Sequence, residues 1–275
     1  MHNHRSIRSV LILAVVSSIS IDVGTQASAA DKIGIVLMHG LQGSPLKVIN
    51  GLASTLRDAG YLVETPEMCW SRARVFDRTL PDCLKDVDAA VAKLKQQGAT
   101  AIVVGGESLG GDSSIAYGAM RDDVKGIIGL APAGDPQLLL SGSKGKKAEN
   151  AEEVSASIAK AQDLVAKGKG DENGFFVDIN QGRTFSVSTS ANIYLSFLGP
   201  DSLARMRTTV PKLKAPILWV AGTADPSQAS GRSYAFDKAP ANPLNRYVNV
   251  DADHLGTPDA ARETVLAWLK ELAAH

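Results

Sequence analysis

Short apolar runs alternate with segments of helical period along most of this chain. Ile33–Met38 is an uninterrupted apolar stretch, and Tyr61–Glu64, Ala101–Gly105, Gly126–Leu130, Pro216–Ala221 and Arg246–Val250 are similar runs rich in β-branched residues. Strands apolar at nearly every position belong to a parallel sheet covered on both faces. Between them, Pro45–Ala59, Cys83–Gln97, Ser108–Met120 and Ala260–Ala273 repeat apolar residues at helical spacing. Strand-helix alternation of this kind predicts βαβ units and an α/β fold with a doubly wound, mostly parallel sheet.

One interval breaks the rhythm. About 85 residues separate the strands near Leu130 and Pro216, too many for a simple crossover. Within it, residues 141–147 read Ser-Gly-Ser-Lys-Gly-Lys-Lys, a polar loop, and 150–167 form an amphipathic helix with Val154, Ile158, Ala161 and Val165 on one face. Phe175, Phe176, Phe185, Tyr194 and Phe197 follow, a cluster of aromatics in a chain that has 5% of them. A helical cap or lid insertion over about 134–211 is expected, with Phe185, Tyr194 and Phe197 facing a substrate.

Charge and composition narrow the chemistry. The 29 Lys and Arg balance 29 Asp and Glu, which argues against nucleic acid or an anionic membrane as partner. Five His and two Cys leave little material for a zinc site, and no metal or cofactor is expected. The N-terminus carries Arg5 and Arg8, an apolar run from Val10 to about Ile21, and then Ala27-Ser28-Ala29. That is the shape of a secretory signal peptide over residues 1–29, with the mature domain at 30–275. The run is too short to span a bilayer, so a periplasmic or secreted protein without a stable membrane anchor is expected. In an oxidising compartment Cys69 and Cys83 read as a disulfide.

Gly106-Glu107-Ser108-Leu109-Gly110 is a G-x-S-x-G pattern lying between a predicted strand and a predicted helix. A tight turn there exposes the Ser108 hydroxyl at the C-terminal edge of the sheet, and the Leu109 N–H faces any oxyanion that forms. Serine needs a base. With His2 and His4 removed by processing, His39, His254 and the terminal His275 remain. His254, between the last strand and last helix, is the expected base, and Asp225, after the penultimate strand, its acid partner. Asp135 is the runner-up acid because it also follows a strand. In the loop His39-Gly-Leu-Gln-Gly-Ser44, the Leu41 N–H is the expected second oxyanion donor, with Gln42 next and Ser44 capping the following helix. His39 reads as structural beside that loop, and both His39 and Gln42 are also placed near substrate.

The His39-Gly40 loop, the Gly106–Gly110 elbow, the Gly222-Thr-Ala-Asp225 loop and His254 together resemble the α/β-hydrolase superfamily. The resemblance covers nearly all of the mature chain except Gly134–Pro211. It implies an eight-stranded, mostly parallel sheet, here without its first two antiparallel strands, and a Ser108-His254-Asp225 triad. Members that place Asp or Cys where Ser108 stands, namely epoxide hydrolases, dehalogenases and dienelactone hydrolases, do not fit. The implied activity is hydrolysis of a small acyl substrate through an acyl-enzyme, as a carboxylesterase or lipase-like enzyme. Thioesterase, amidase, peptidase or acyltransferase chemistry on the same triad remains open, as does a noncatalytic binding protein that kept the fold.

Overall fold

The structure is a computed structural model and describes Met1 and residues 31–141, 150–228 and 231–275. The expected leader, Met1 apart, and the polar loop after Ser141 lie outside the described residues. In chain order the elements are β1 (Ile33–Met38), α1 (Asn50–Asp58), β2 (Leu62–Glu64), α2 (Leu80–Gln96), β3 (Ala101–Glu107), α3 (Leu109–Met120) and β4 (Gly126–Leu130). The cap follows with α4 (Pro136–Ser141), α5 (Ala151–Ala166), β5 (Asn173–Asn180), β6 (Arg183–Ser190), α6 (Ala191–Leu198) and α7 (Met206–Thr209). The chain then returns to the sheet with β7 (Ile217–Gly222), α8 (Gly231–Tyr234), β8 (Arg246–Val250), α9 (Thr257–Ala260) and α10 (Arg262–Ala273).

Six strands form one sheet in the order β2-β1-β3-β4-β7-β8, every pair parallel. The two-residue period of a strand sends alternate side chains to opposite faces. Ile35, Leu37, Val103, Ile128, Leu218 and Val220 pack with Leu52, Leu56, Val265 and Leu269 of α1 and α10. Val36, Met38, Ile102, Val104, Ile127 and Trp219 pack on the other face with α2, α3 and the cap. Both faces are covered, which explains why the strands carry almost no polar residues.

Helix ends shift where capping decides them. Ser44 and Pro45 lie in turns rather than starting a helix, and α1 begins at Asn50 after Ile49, which makes no side-chain cap. The second helix starts at Leu80, earlier than the apolar pattern indicates, because Thr79 caps it by accepting from the Asp82 N–H. The last predicted helix is α10, preceded by the short α9, which joins it at Ala261.

The cap is not purely helical. Residues 173–190 form an antiparallel hairpin, β5–β6, with Asn180 paired to Arg183 across the two-residue turn Gln181-Gly182. Both turn residues have positive φ, 50° and 76°, the geometry that matches the twist of flanking strands. Phe176 stacks on Tyr194 with ring centroids 4.6 Å apart, joining the hairpin to α6. The Thr189 hydroxyl donates to the Phe76 carbonyl at 2.9 Å, and the Leu80 N–H donates to the Ser196 hydroxyl at 2.9 Å. These bonds fasten the cap to the start of α2.

Candidate active site

At Ser108 the backbone turns from β3 into α3 with φ 55° and ψ −124°. A non-glycine residue at positive φ is strained, so the surroundings must over-determine it. The Ser108 N–H donates to Leu130 O at 3.0 Å, and its carbonyl accepts from Gly111 and Asp112 at 2.8 and 3.1 Å. A Cβ on Gly106 would run into the Gly110 carbonyl, and one on Gly110 into the Met38 and His39 carbonyls. The elbow's glycines are therefore a packing requirement of this crossing. Ser108 opens onto a cavity of about 560 Å³ between the sheet edge and the cap.

Asp225 and His254 line the same cavity from the loops after β7 and β8. The loops are tied together by Thr223 N–H to Val250 O at 2.9 Å and Ala224 N–H to Ala252 O at 3.0 Å. Gly222 permits this approach, since a Cβ there would meet the Ala252 carbonyl. His254 Nδ1–H donates to Asp225 Oδ2 at 2.6 Å. The other carboxylate oxygen, Oδ1, accepts from the Ser227 N–H and hydroxyl at 2.9 and 2.7 Å. Burial works against the Asp225 charge, but bonds from His254 and Ser227 outweigh it and hold the carboxyl below its usual range. Burial likewise works against a charged His254, yet the bond and charge of Asp225, with Glu107 behind them, raise it above the ordinary imidazole value.

Asp135 is not beside His254. Its carboxylate is consumed by the Gln137 N–H at 2.9 Å and the Met206 N–H at 2.7 Å, fixing α4 against α7.

The loop after β1 is held from three sides. The Gly40 carbonyl accepts from His39 Nδ1–H at 2.8 Å and from the Gly43 N–H at 3.0 Å. A trans peptide points its N–H opposite to its C=O, so the Leu41 N–H is aimed away from these two donors. The next peptide is clamped as well: Asn180 Nδ2 donates to Leu41 O at 3.1 Å, and the Gln42 N–H donates to Trp70 O at 2.9 Å. Gln42 therefore has no backbone N–H to spare. The Leu41 and Leu109 N–H groups have no acceptor among the described residues. Both residues line the cavity.

His39 is a fastener in this loop. Its Nε2 accepts from the Met68 N–H at 3.1 Å, so Nδ1 carries the proton. Burial lowers its proton affinity and keeps the ring neutral. The expected substrate contacts for His39 and Gln42 are corrected, since neither side chain lines the cavity. Two of the three cap aromatics are corrected in the same way. Tyr194 is fully buried and donates its hydroxyl to Val177 O, and Phe185 is half-buried on β6 opposite Asp178. Phe197 does line the cavity.

Cys69 and Cys83 are joined by a disulfide with Cα atoms 5.7 Å apart. It anchors the segment between β2 and α2 whose Met68 N–H and Trp70 carbonyl brace the His39–Gln42 loop.

Sequence reasoning missed three residues here. Glu107, the variable position before Ser108, is 3% exposed and bridges two loops. Its Oε2 accepts from the Gly40 N–H at 2.9 Å, while Oε1 lies 3.4 Å from His254 Nε2. Burial pushes its pKa up to about 7. Asp178 and Asn180 reach the cavity from the end of β5. Gln181-Gly182 between two alternating segments was the signal that placed them there, a hairpin cue weaker than Asn-Gly.

A parallel sheet whose strand-end loops converge on a strained serine turn defines an α/β hydrolase. The chain matches the family described as serine aminopeptidase S33 over residues 30–248, and it belongs to that family of hydrolases. No curated protein matches it. Among solved structures, Est1E from Butyrivibrio proteoclasticus with ferulic acid bound superimposes with TM-score 0.61 at 21% identity, covering 88% of this chain and 90% of that one. The monoacylglycerol lipase of Paleococcus ferrophilus gives 0.60 at 20% identity, covering 88% and 94%. The α/β hydrolase GrgF from Penicillium sp. sh18 gives 0.63 at 15% identity, covering 89% and 90%. At these identities the likeness speaks to the fold.

Proposed function

We propose that the protein is an exported serine hydrolase that cleaves a carboxylic ester by way of an acyl-enzyme. The observation that carries this reading is one cavity holding Ser108 on its strained turn and His254 bonded to Asp225 at 2.6 Å. His254 Nε2, the nitrogen not bonded to Asp225, takes the proton from Ser108 Oγ as that oxygen attacks the ester carbonyl. Asp225 fixes the tautomer and stabilises the imidazolium that forms. The Leu41 and Leu109 N–H groups hold the oxyanion. The tetrahedral intermediate collapses, His254 returns the proton to the leaving alcohol, and water repeats the sequence on the acyl-serine. The lining is mostly apolar (Leu41, Phe76, Leu109, Leu138 and Phe197 among others), which suits a small acyl or aryl ester and not a nucleic acid. Esterases and a lipase among the similar folds support ester chemistry, and the basic, apolar, small-residue order of residues 1–29 supports export.

A fluorophosphonate probe should label the mature protein, and Ser108→Ala should abolish both labelling and hydrolysis of p-nitrophenyl butyrate with an unchanged melting temperature. Full esterase activity in Ser108→Ala overturns the reading. The family's aminopeptidase description favours a second substrate class, so aminoacyl p-nitroanilides belong in the same panel. Faster turnover of anilides than of matched esters would make the enzyme a peptidase on the same residues.

A further inference from the structure

Among the described residues the ester mechanism has no use for two cavity-lining carboxyls, Asp253 at the loop after β8 and Asp178, which sits deep in the cap. Asp178 is 2% exposed near the end of β5, opposite Phe185. Its Oδ1 accepts from the Ile179 N–H at 2.7 Å. Its Oδ2 has no donor, and Asp178 forms no ion pair, among the described residues. Among the described residues no Lys or Arg lines the cavity. A buried carboxyl held by a single backbone hydrogen bond is costly, and native structures keep such groups where something else completes them.

We propose that Asp178 recognises a hydroxyl group on the substrate, its Oδ2 meeting that hydroxyl inside the cavity. This rests on the ester-hydrolase reading of the site and names a substrate class for it. Apolar walls from Phe76, Leu138, Leu139, Ile179 and Phe197 take the hydrocarbon or aromatic body of the substrate, and Asp178 takes its polar end. Burial pushes the pKa of Asp178 up to about 7, so near neutrality it both accepts and donates hydrogen bonds. A hydroxyl is the partner that does the same. An ammonium group would require desolvating two charges together in this apolar setting. An anionic end would meet Asp178 and Asp253 with no cation among the described lining residues to receive it.

Matched methyl esters with and without a hydroxyl test this: 4-hydroxycinnamate against cinnamate, and 8- and 10-hydroxyalkanoates against the plain chains. The wild-type protein should favour at least one hydroxylated member by about tenfold or more in kcat/KM, the scale of a hydrogen bond to an ionisable group. Asp178→Leu should collapse that ratio to about one, and Asp178→Asn, which keeps an acceptor for the Ile179 N–H, should retain part of it. Melting temperatures and fluorophosphonate labelling of both variants separate a lost contact from a lost fold. Hydrolysis of every pair without discrimination, or a ratio that survives Asp178→Leu in a folded protein, overturns the proposal and leaves the ester-hydrolase reading intact. A preference for ω-amino esters over their hydroxy counterparts overturns it as well, by making the partner a cation. Neither hydrolysis nor labelling in the wild type overturns both readings.

Discussion

The sheet edge and the cap face each other across one cavity and are built on opposite principles. At the edge, positions are set by backbone: Ser108 by a forced φ, Leu41 by two clamped peptides, and the Asp225 and His254 loops by hydrogen bonds to each other. In the cap, positions are set by stacked rings and a hairpin, with Phe176 on Tyr194 and Phe76 against Phe197 at 4.3 Å. The first kind of construction tolerates little movement and suits chemistry. The second tolerates exchange of apolar groups and suits selection among substrates. Substitutions on the two sides should therefore separate in kinetics, the edge changing kcat and the cap changing KM.

After Ser108 itself, the largest effect belongs to the acid. Asp225→Asn should lower kcat by about 10⁴-fold with modest change in KM, because the amide donates where the carboxylate accepted and holds His254 in the wrong tautomer. Steady-state kinetics on p-nitrophenyl butyrate checks it, and a change confined to KM would break the comparison.

Next comes a residue that touches no substrate. His39→Leu removes one donor to the Gly40 carbonyl and the acceptor of the Met68 N–H. A misplaced Leu41 N–H should cost about 10²-fold in kcat, since small displacements of an oxyanion donor are expensive. An unpaired Met68 N–H should cost about 1–3 kcal/mol of stability in urea unfolding.

On the opposite wall, Phe197→Ala should raise KM several-fold for aryl or medium-chain esters and hold kcat within about threefold, with about 3 kcal/mol of stability lost from its packing against Trp70 and Phe76. A kcat loss on the scale of the edge variants would mean that the cap sets chemical geometry too.

The smallest effect sharpens the edge itself. In the proposed mechanism His254 works only when deprotonated, so kcat/KM should rise with pH through its pKa. The Glu107 charge stabilises the protonated imidazole and raises that value, behind the larger effect of Asp225. Glu107→Gln keeps an acceptor for the Gly40 N–H and removes the charge, so the acid limb of the profile should move to lower pH while kcat at the optimum stays within about tenfold. An unmoved limb would show that Glu107 serves only to hold the Gly40 loop.

Legibility in the sequence followed the range of the forces involved. The elbow shows in the sequence because its demands are local: two glycines within five residues, Gly106 and Gly110, each answering a close backbone crossing. Asp225 and His254 stand out as polar residues at the ends of apolar strands, the one place a covered parallel sheet meets solvent. Their 2.6 Å contact, however, is a product of strand order, which β7 and β8 settle only when paired. The cap was harder. Helical spacing predicted α5 well, but β5–β6 depends on a Gln-Gly turn and on cross-strand partners, so Phe185 fell on β6 and Tyr194 was drawn into a stack with Phe176, leaving Phe197 at the cavity. Glu107 lay inside the recognised motif and still escaped notice, because its two partners come from loops distant in the chain.

The parallel sheet also sets a timetable. Each parallel pairing needs a full crossover, and the groups around Ser108 hang from the ends of β1, β3, β7 and β8, with β8 the last strand of the chain. Such long-range pairings close late in folding, after local helices have formed. In a refolding chain, turnover should lag behind the return of helical signal, and its amplitude should count finished sheets. Under the proposed mechanism, recovered turnover would then be a clock for folding, started by the helices and stopped when the last strand brings His254 to the edge.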